Sequence, residues 1–104
     1  MTLSVGFDPA ALDELQDAHD WYEQESPGAG GEFLAEVLRL LHDVADWPGL
    51  GRPVAVPRAS REFRRASLRR FPYGVVYVVR DDLLVVMAVP HNRRRPGYWY
   101  DRLR

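Results

Sequence analysis

Residues 75–89, VVYVVRDDLLVVMAV, constrain the fold of this chain more than any other stretch. Two apolar runs flank Asp81-Asp82, a dipeptide suited to a tight turn, so the segment reads as a β-hairpin with strands over 75–80 and 83–89. The second run is apolar throughout and does not alternate, which marks a central strand covered on at least one face. The rest of the chain must supply neighbours for this hairpin and a layer to cover it.

The N-terminal half offers that layer. LSVGF, residues 3–7, reads as a short strand. Asp8-Pro9 then gives an N-cap followed by proline at the first helical position. The spacing predicts a helix to about Glu25, with Leu12, Leu15, Ala18 and Tyr22 as its buried stripe and Asp13, Asp17 and Asp20 on a solvated acidic side. Glu23 and Glu25 fall at the unfavourable end of its dipole. Gly28, Gly30 and Gly31 predict a turn or a loose first turn. A second helix follows from Glu32 to about Asp46, with Phe33, Leu34, Val37, Leu38, Leu41, Val44 and Ala45 on its apolar face. Glu36–Arg39 and Arg39–Asp43 are expected as surface pairs. WPGLGRP, residues 47–53, ends it.

REFRRASLR, residues 61–69, reads as a strand with arginines on both faces, and RFPYG, residues 70–74, as a bend. The predicted order is β-α-α-β-β-β. The fold class is α+β, a single domain over 1–104 with a helical hairpin packed on one face of an antiparallel sheet. The opposite face is expected to carry the arginines of 61–70 and to receive the segment after Pro90. Trp21 and Tyr22 are expected between helix and sheet.

Charge is segregated along the chain. Residues 1–50 hold eleven of the fifteen acidic residues and one base, Arg39, whereas residues 51–104 hold the other thirteen bases, and every base is arginine. This asymmetry suggests an acidic or polyanionic partner for the basic half, or neutralisation of one half by the other. With no cysteine there is no disulfide framework and no thiolate chemistry. No apolar run reaches the roughly 18–20 residues that span a bilayer, and no basic-then-apolar signal pattern is present, so a cytoplasmic protein without a membrane partner is expected. His19 and His42 stand alone on helices, so no metal site is expected, and GAGG lacks the context of a phosphate loop. No cofactor is expected.

The stretches FDPAALDELQDAHDWYEQESPGAGGEFLAEV, GRPV, RRFPYGVVYVV and VPHNRRRPGYW, in this order and spacing, resemble the RelE/ParE superfamily of bacterial type II toxins, over about residues 3–102. The resemblance implies a β-α-α-β-β-β fold, a cognate antitoxin as partner and one of two activities. One branch poisons DNA gyrase without an accepted nuclease function and is often labelled plasmid-stabilisation. The other cleaves mRNA in the ribosome. FPYGVVY and HNRRRPGYW are more similar to the gyrase branch, so a growth-inhibiting gyrase poison is the favoured expectation. A ribosome-dependent mRNA endoribonuclease is the alternative, and a non-toxic nucleic-acid-binding module ranks third.

Each activity asks for different residues. Metal-free RNA cleavage needs a base, an acid and cations for the phosphorane, roles open to His91, Tyr98, Arg61 and Arg80, with Arg69 as a further phosphate contact. A poison needs a contact surface, and Arg69, Arg93, Arg94, Arg95, Tyr98 and Trp99 are residue types that dominate interfaces. His91 also suits a hydrogen-bonded end-of-strand position, and Tyr73, Tyr77 and Trp99 suit packing. Both activities lead to one geometric expectation: Arg61, Arg69, Arg80 and Arg94 converge on one exposed side.

Overall fold

The computed structural model describes residues 2–103. Strand β1 (Ser4–Phe7) leads into helix α1 (Pro9–Glu25), helix α2 (Ala29–Asp46) and a 3-10 turn (Pro48–Leu50). Strands β2 (Arg52–Val54), β3 (Phe63–Ser67), β4 (Gly74–Arg80) and β5 (Leu83–Ala88) follow, then a last 3-10 turn (Tyr100–Arg102). The five strands form one sheet in the order β1-β5-β4-β3-β2.

Two features of the sheet differ from expectation. It is mixed, because β1 runs parallel to β5, with Ser4 opposite Leu83 and Phe7 opposite Val86. The α1–α2 hairpin is the crossover that a parallel pairing needs, and a hairpin prediction contains no information about which edge the first strand joins. The sheet also gains β2, paired antiparallel with β3 from Arg52 opposite Arg65 to Val54 opposite Phe63, within and just after the segment read only as a helix stop. Its proline sits on an edge strand, where a missing N–H costs nothing.

The hairpin covers one sheet face. Asp8 caps α1 by accepting the Ala10 N–H at 2.9 Å. Ala11, Leu15 and Ala18 are the buried residues of α1, and Phe33, Val37, Leu41 and Val44 of α2 meet them over Val75, Tyr77, Leu84 and Val86. Leu12 and Leu38, expected inside, are exposed, and so is Trp21. Leu15, Ala18 and Tyr22 of the expected α1 stripe do face the core, and small Ala11 takes the close-approach position in place of Leu12.

Glycine permits the helices to come close at their connected ends. A Cβ on Gly30 would lie 2.6 Å from the His19 carbonyl oxygen, so the segment read as a loose turn is the first turn of a tightly packed helix. Glu23 serves that turn: its carboxylate accepts the N–H groups of Gly28 at 2.9 Å and Gly30 at 3.0 Å. The charge is unfavourable for the end of its own helix but sits at the positive start of the next. Tyr22, Phe33, Phe71 and Tyr73 close the same end of the core as an aromatic cluster, with ring centroids 4.9–6.1 Å apart.

Tyr77 ties the sheet to the turn before β2. Its side chain is buried, its hydroxyl donates to the Pro48 carbonyl at 2.6 Å, and it accepts the Gly51 N–H at 2.9 Å. A Cβ at Gly51 would stand 2.6 Å from that hydroxyl, so only glycine fits. Removing the hydroxyl in Tyr77→Phe leaves a buried donor and acceptor unpaired. It should cost about 1–3 kcal/mol in denaturant melts and lower the melting temperature of a chain this size by several degrees.

Candidate functional site

The segment after Pro90 is folded onto the second sheet face. Phe63, Val76, Val78, Met87 and Ala88 form an apolar patch there, and Trp99 fills it at 4% exposure with Tyr98, Tyr100 and Leu103 around it. The Phe63 and Trp99 ring centroids lie 5.4 Å apart. Backbone parity explains the patch: Phe63, Arg65, Val76 and Val78 point to this side, while Arg64 and Tyr77 point to the helices. Arg64 donates to Gly51 O at 2.5 Å and pairs with Glu62 at 2.8 Å.

Trp99 therefore does not lie on the contact surface for which its residue type had suggested it. A large apolar ring next to an uncovered apolar sheet face is buried by its own chain before any partner arrives.

Two further anchors hold the segment. At its start, His91 forms a bridge with Tyr73, the Asn92 N–H donates to Pro72 O at 2.7 Å, and the Arg65 guanidinium donates to Asn92 Oδ1 at 2.7 Å. At its end, Arg102 makes a two-pronged ion pair with Glu14 of α1, at 3.0 and 2.8 Å, and donates to Met87 O at 2.9 Å. Glu14 also accepts the Val89 N–H at 2.9 Å. An acid of the N-terminal half thus clamps the basic C-terminal segment.

The candidate acid–base residues are occupied structurally. His91 Nδ1 accepts the Arg93 N–H at 3.0 Å, and its ring meets the edge of Tyr73 with centroids 5.1 Å apart. The Tyr98 hydroxyl is buried beside Glu14 without a well-formed hydrogen bond among the described residues. Burial first, and then the Glu14 carboxylate, push its pKa well above the ordinary tyrosine value. Arg94 lies over the Tyr98 ring at 3.8 Å and Arg102 at 5.3 Å.

The four arginines do not gather at one point. Arg61 and Arg80 line a cleft at the hairpin end of the sheet, with Arg58 and Phe63. Arg94 belongs to the other end: its N–H donates to His91 O at 3.0 Å, beside Tyr73, and the seven residues of β4, about 20 Å, lie between that end and Arg80. Arg69 lines a third place, a cleft between α2 and β3. Its N–H donates to Glu36 at 2.5 Å, and Arg70 donates to the same carboxylate through its N–H at 3.3 Å and its Nε at 3.2 Å. Glu36 is thus buried against β3's end, not paired with Arg39 on the surface. Sequence spacing placed these side chains near one another in the chain's basic half, but strand alternation and the length of β4 dispersed them.

Sequence reasoning overlooked Arg65. It is half-buried on the same face as Trp99, bonded to Asn92, and its pKa is lowered by burial and then by repulsion from Arg52 opposite. The signal available was its two-residue spacing from Phe63. Arg93 and Arg95 are exposed and make no ion pair among the described residues.

Similarity to known proteins decides the family. The model of the ParE toxin of the type II toxin–antitoxin system parDE matches residues 5–96. The chain belongs to the ParE toxin family. It is a type II toxin, and membership implies an antitoxin partner. The toxin's fold matches a structure of the chromosomal ParDE toxin–antitoxin system from P. aeruginosa with a TM-score of 0.73 at 18% identity, over 86% of this chain and 96% of that one. It also matches E. coli RelE in the free state, carrying two arginine-to-alanine substitutions, with a TM-score of 0.65 at 19% identity, over 98% and 94%. No curated protein sequence matches it. No helix among the toxin's described residues is long and apolar enough to cross a membrane.

The clamp between Glu14 and Arg102 sets a pH dependence. Burial alone pushes the Glu14 carboxyl up, but hydrogen bonds from Arg102 and the Val89 N–H outweigh it and hold the pKa below the ordinary value. A lowered folded pKa contributes stability in full above the ordinary glutamate range, and that contribution disappears as pH falls through the lowered value. Glu14→Gln should cost about 2 kcal/mol at neutral pH and flatten the fall of melting temperature below roughly pH 4, as read by thermal melts across pH. Trp99→Ala should cost about 3–5 kcal/mol and loosen residues 91–103, as read by amide exchange.

Proposed function

We propose that this toxin arrests growth by binding DNA gyrase through the exposed arginines at the start of the 91–103 segment, and that a cognate antitoxin neutralises it by covering that surface. Arg93 and Arg95 project freely, and Arg94 is oriented by stacking on Tyr98. These are binding residues: arginines on a braced segment lose little conformational freedom when a partner meets them.

One observation carries the choice of contact over catalysis. His91 is bridged to Tyr73, just before β4 begins, whereas Arg80 ends β4 and lines its cleft with Arg61, so about 20 Å of strand lies between the candidate base and these cations. A general acid, a general base and phosphate-binding cations must all reach one reacting phosphodiester within hydrogen-bond distance. The raised Tyr98 pKa and the backbone hydrogen bond on His91 support the same reading.

The test uses the purified chain in a gyrase supercoiling assay. The toxin should inhibit supercoiling, and Arg93→Ala and Arg95→Ala should each raise the half-inhibitory concentration about ten-fold without moving the melting temperature. His91→Ala removes one anchor of the segment but no contact, so it should weaken inhibition less than Arg93→Ala or Arg95→Ala and should not abolish it. Unimpaired supercoiling together with mRNA cleavage on translating ribosomes, lost on His91→Ala, would replace this reading with the nuclease.

A further inference from the structure

The second cleft, about 590 Å³ at the hairpin end of the sheet, has no part in that reading. Arg58, Arg61 and Arg80 line it with Ser60 over a floor that includes Phe63 and Leu103, and among the described residues none that lines it is acidic. Among the described residues these three guanidinium groups have no carboxylate partner. This contrasts with Arg64, Arg70 and Arg102, which pair with Glu62, Glu32 and Glu36, and Glu14. Three like charges held at one concavity repel one another, and an anion that joins them relieves that repulsion.

The backbone supplies an independent sign that Arg58 serves a ligand. The Ala59 N–H donates to Val56 O at 3.3 Å, closing a turn with Pro57 at its second position and Arg58 at its third. Arg58 has φ 62°, the left-handed conformation that this turn type reserves for glycine or asparagine. Arginine is the costlier choice for the fold at this position, and strain of this kind collects where a side chain has work outside the fold.

We propose that the cleft of Arg58, Arg61 and Arg80 binds the phosphodiester backbone of a nucleic acid. Each guanidinium offers a planar fork matched to phosphate oxygens. The cationic row also continues out of the cleft: Arg65 follows Phe63 on the same face, about 7 Å along β3, with Arg52 opposite it. A regularly charged strand satisfies such a row, whereas an isolated carboxylate satisfies one member of it. Phe63 in the floor is already packed on Trp99 and the polar lining is guanidinium and hydroxyl, so the site reads backbone charge and not base identity.

The inference does not depend on the gyrase reading, and its test contains no gyrase. Full-length chain is titrated against a labelled short DNA oligonucleotide, single-stranded and duplex, between about 50 and 200 mM salt. Log affinity should fall linearly with log salt, and Arg58→Gly, Arg61→Ala and Arg80→Ala should each reduce the slope by about 1. Arg58→Gly is the sharpest probe: it should weaken binding while leaving the melting temperature unchanged or higher, because glycine relieves the left-handed residue. Unaltered slopes in all three variants would overturn the proposal. So would displacement of the oligonucleotide by poly-glutamate of equal charge at equal concentration.

Discussion

Strands β4 and β5 are apolar on both faces, and everything else in the molecule answers to that. One face requires a cover of at least the width of two helices, which the α1–α2 hairpin provides. The other face would be left wet by a β-α-α-β-β-β domain that stopped at Pro90. Trp99 seals it, with Phe63 beneath and Tyr98, Tyr100 and Leu103 around. The C-terminal segment is thus the third layer of the fold, and its aromatic residues belong to the core as fully as those of the hairpin do.

Burying that segment distributes charge in a specific way. The acidic helices and the basic second half are brought together, and their closest carboxylates take up particular arginines: Glu14 takes Arg102, and Glu36 with Glu32 takes Arg70. These contacts place acids at strand ends and at the end of the C-terminal layer, where backbone N–H groups of Arg69, Arg70 and Val89 also need acceptors. Among the arginines without a carboxylate partner in the described residues, Arg93 to Arg95 stand at one end of the sheet and Arg58, Arg61 and Arg80 at the other, with Arg52 and Arg65 between them. A surface this rich in unpaired arginine favours association with an acidic partner.

Rigidity bears on the binding proposed for this segment. The 91–103 segment is pinned at His91 and Asn92, plugged at Trp99 and clamped at Arg102, so the arginines between these points ride on an ordered support. Order in the free state lowers the entropy lost on binding. The same pinning employs His91 and Tyr98 as structural groups, and that makes the segment better suited to contact than to proton transfer.

Much of this was legible in the sequence. The Asp-Pro cap, the 3.6-residue stripes of the helices and the two apolar runs about Asp81-Asp82 specify their elements locally, since capping, periodicity and turn chemistry act over a few residues. His91 as an end-of-strand residue was legible for the same reason. The parallel partnership of β1 with β5 was not, because pairing across a crossover depends on which edge lies free after the helices dock. Nor was the inward turn of Trp99, the capture of Glu36 by Arg69 and Arg70, or the separation of Arg80 from Arg94. Composition determined that this protein would have a surplus of arginine opposite an acidic half. Only the tertiary structure decided which arginines meet a carboxylate, because that depends on distances across the sheet, which the order of residues along the chain does not contain.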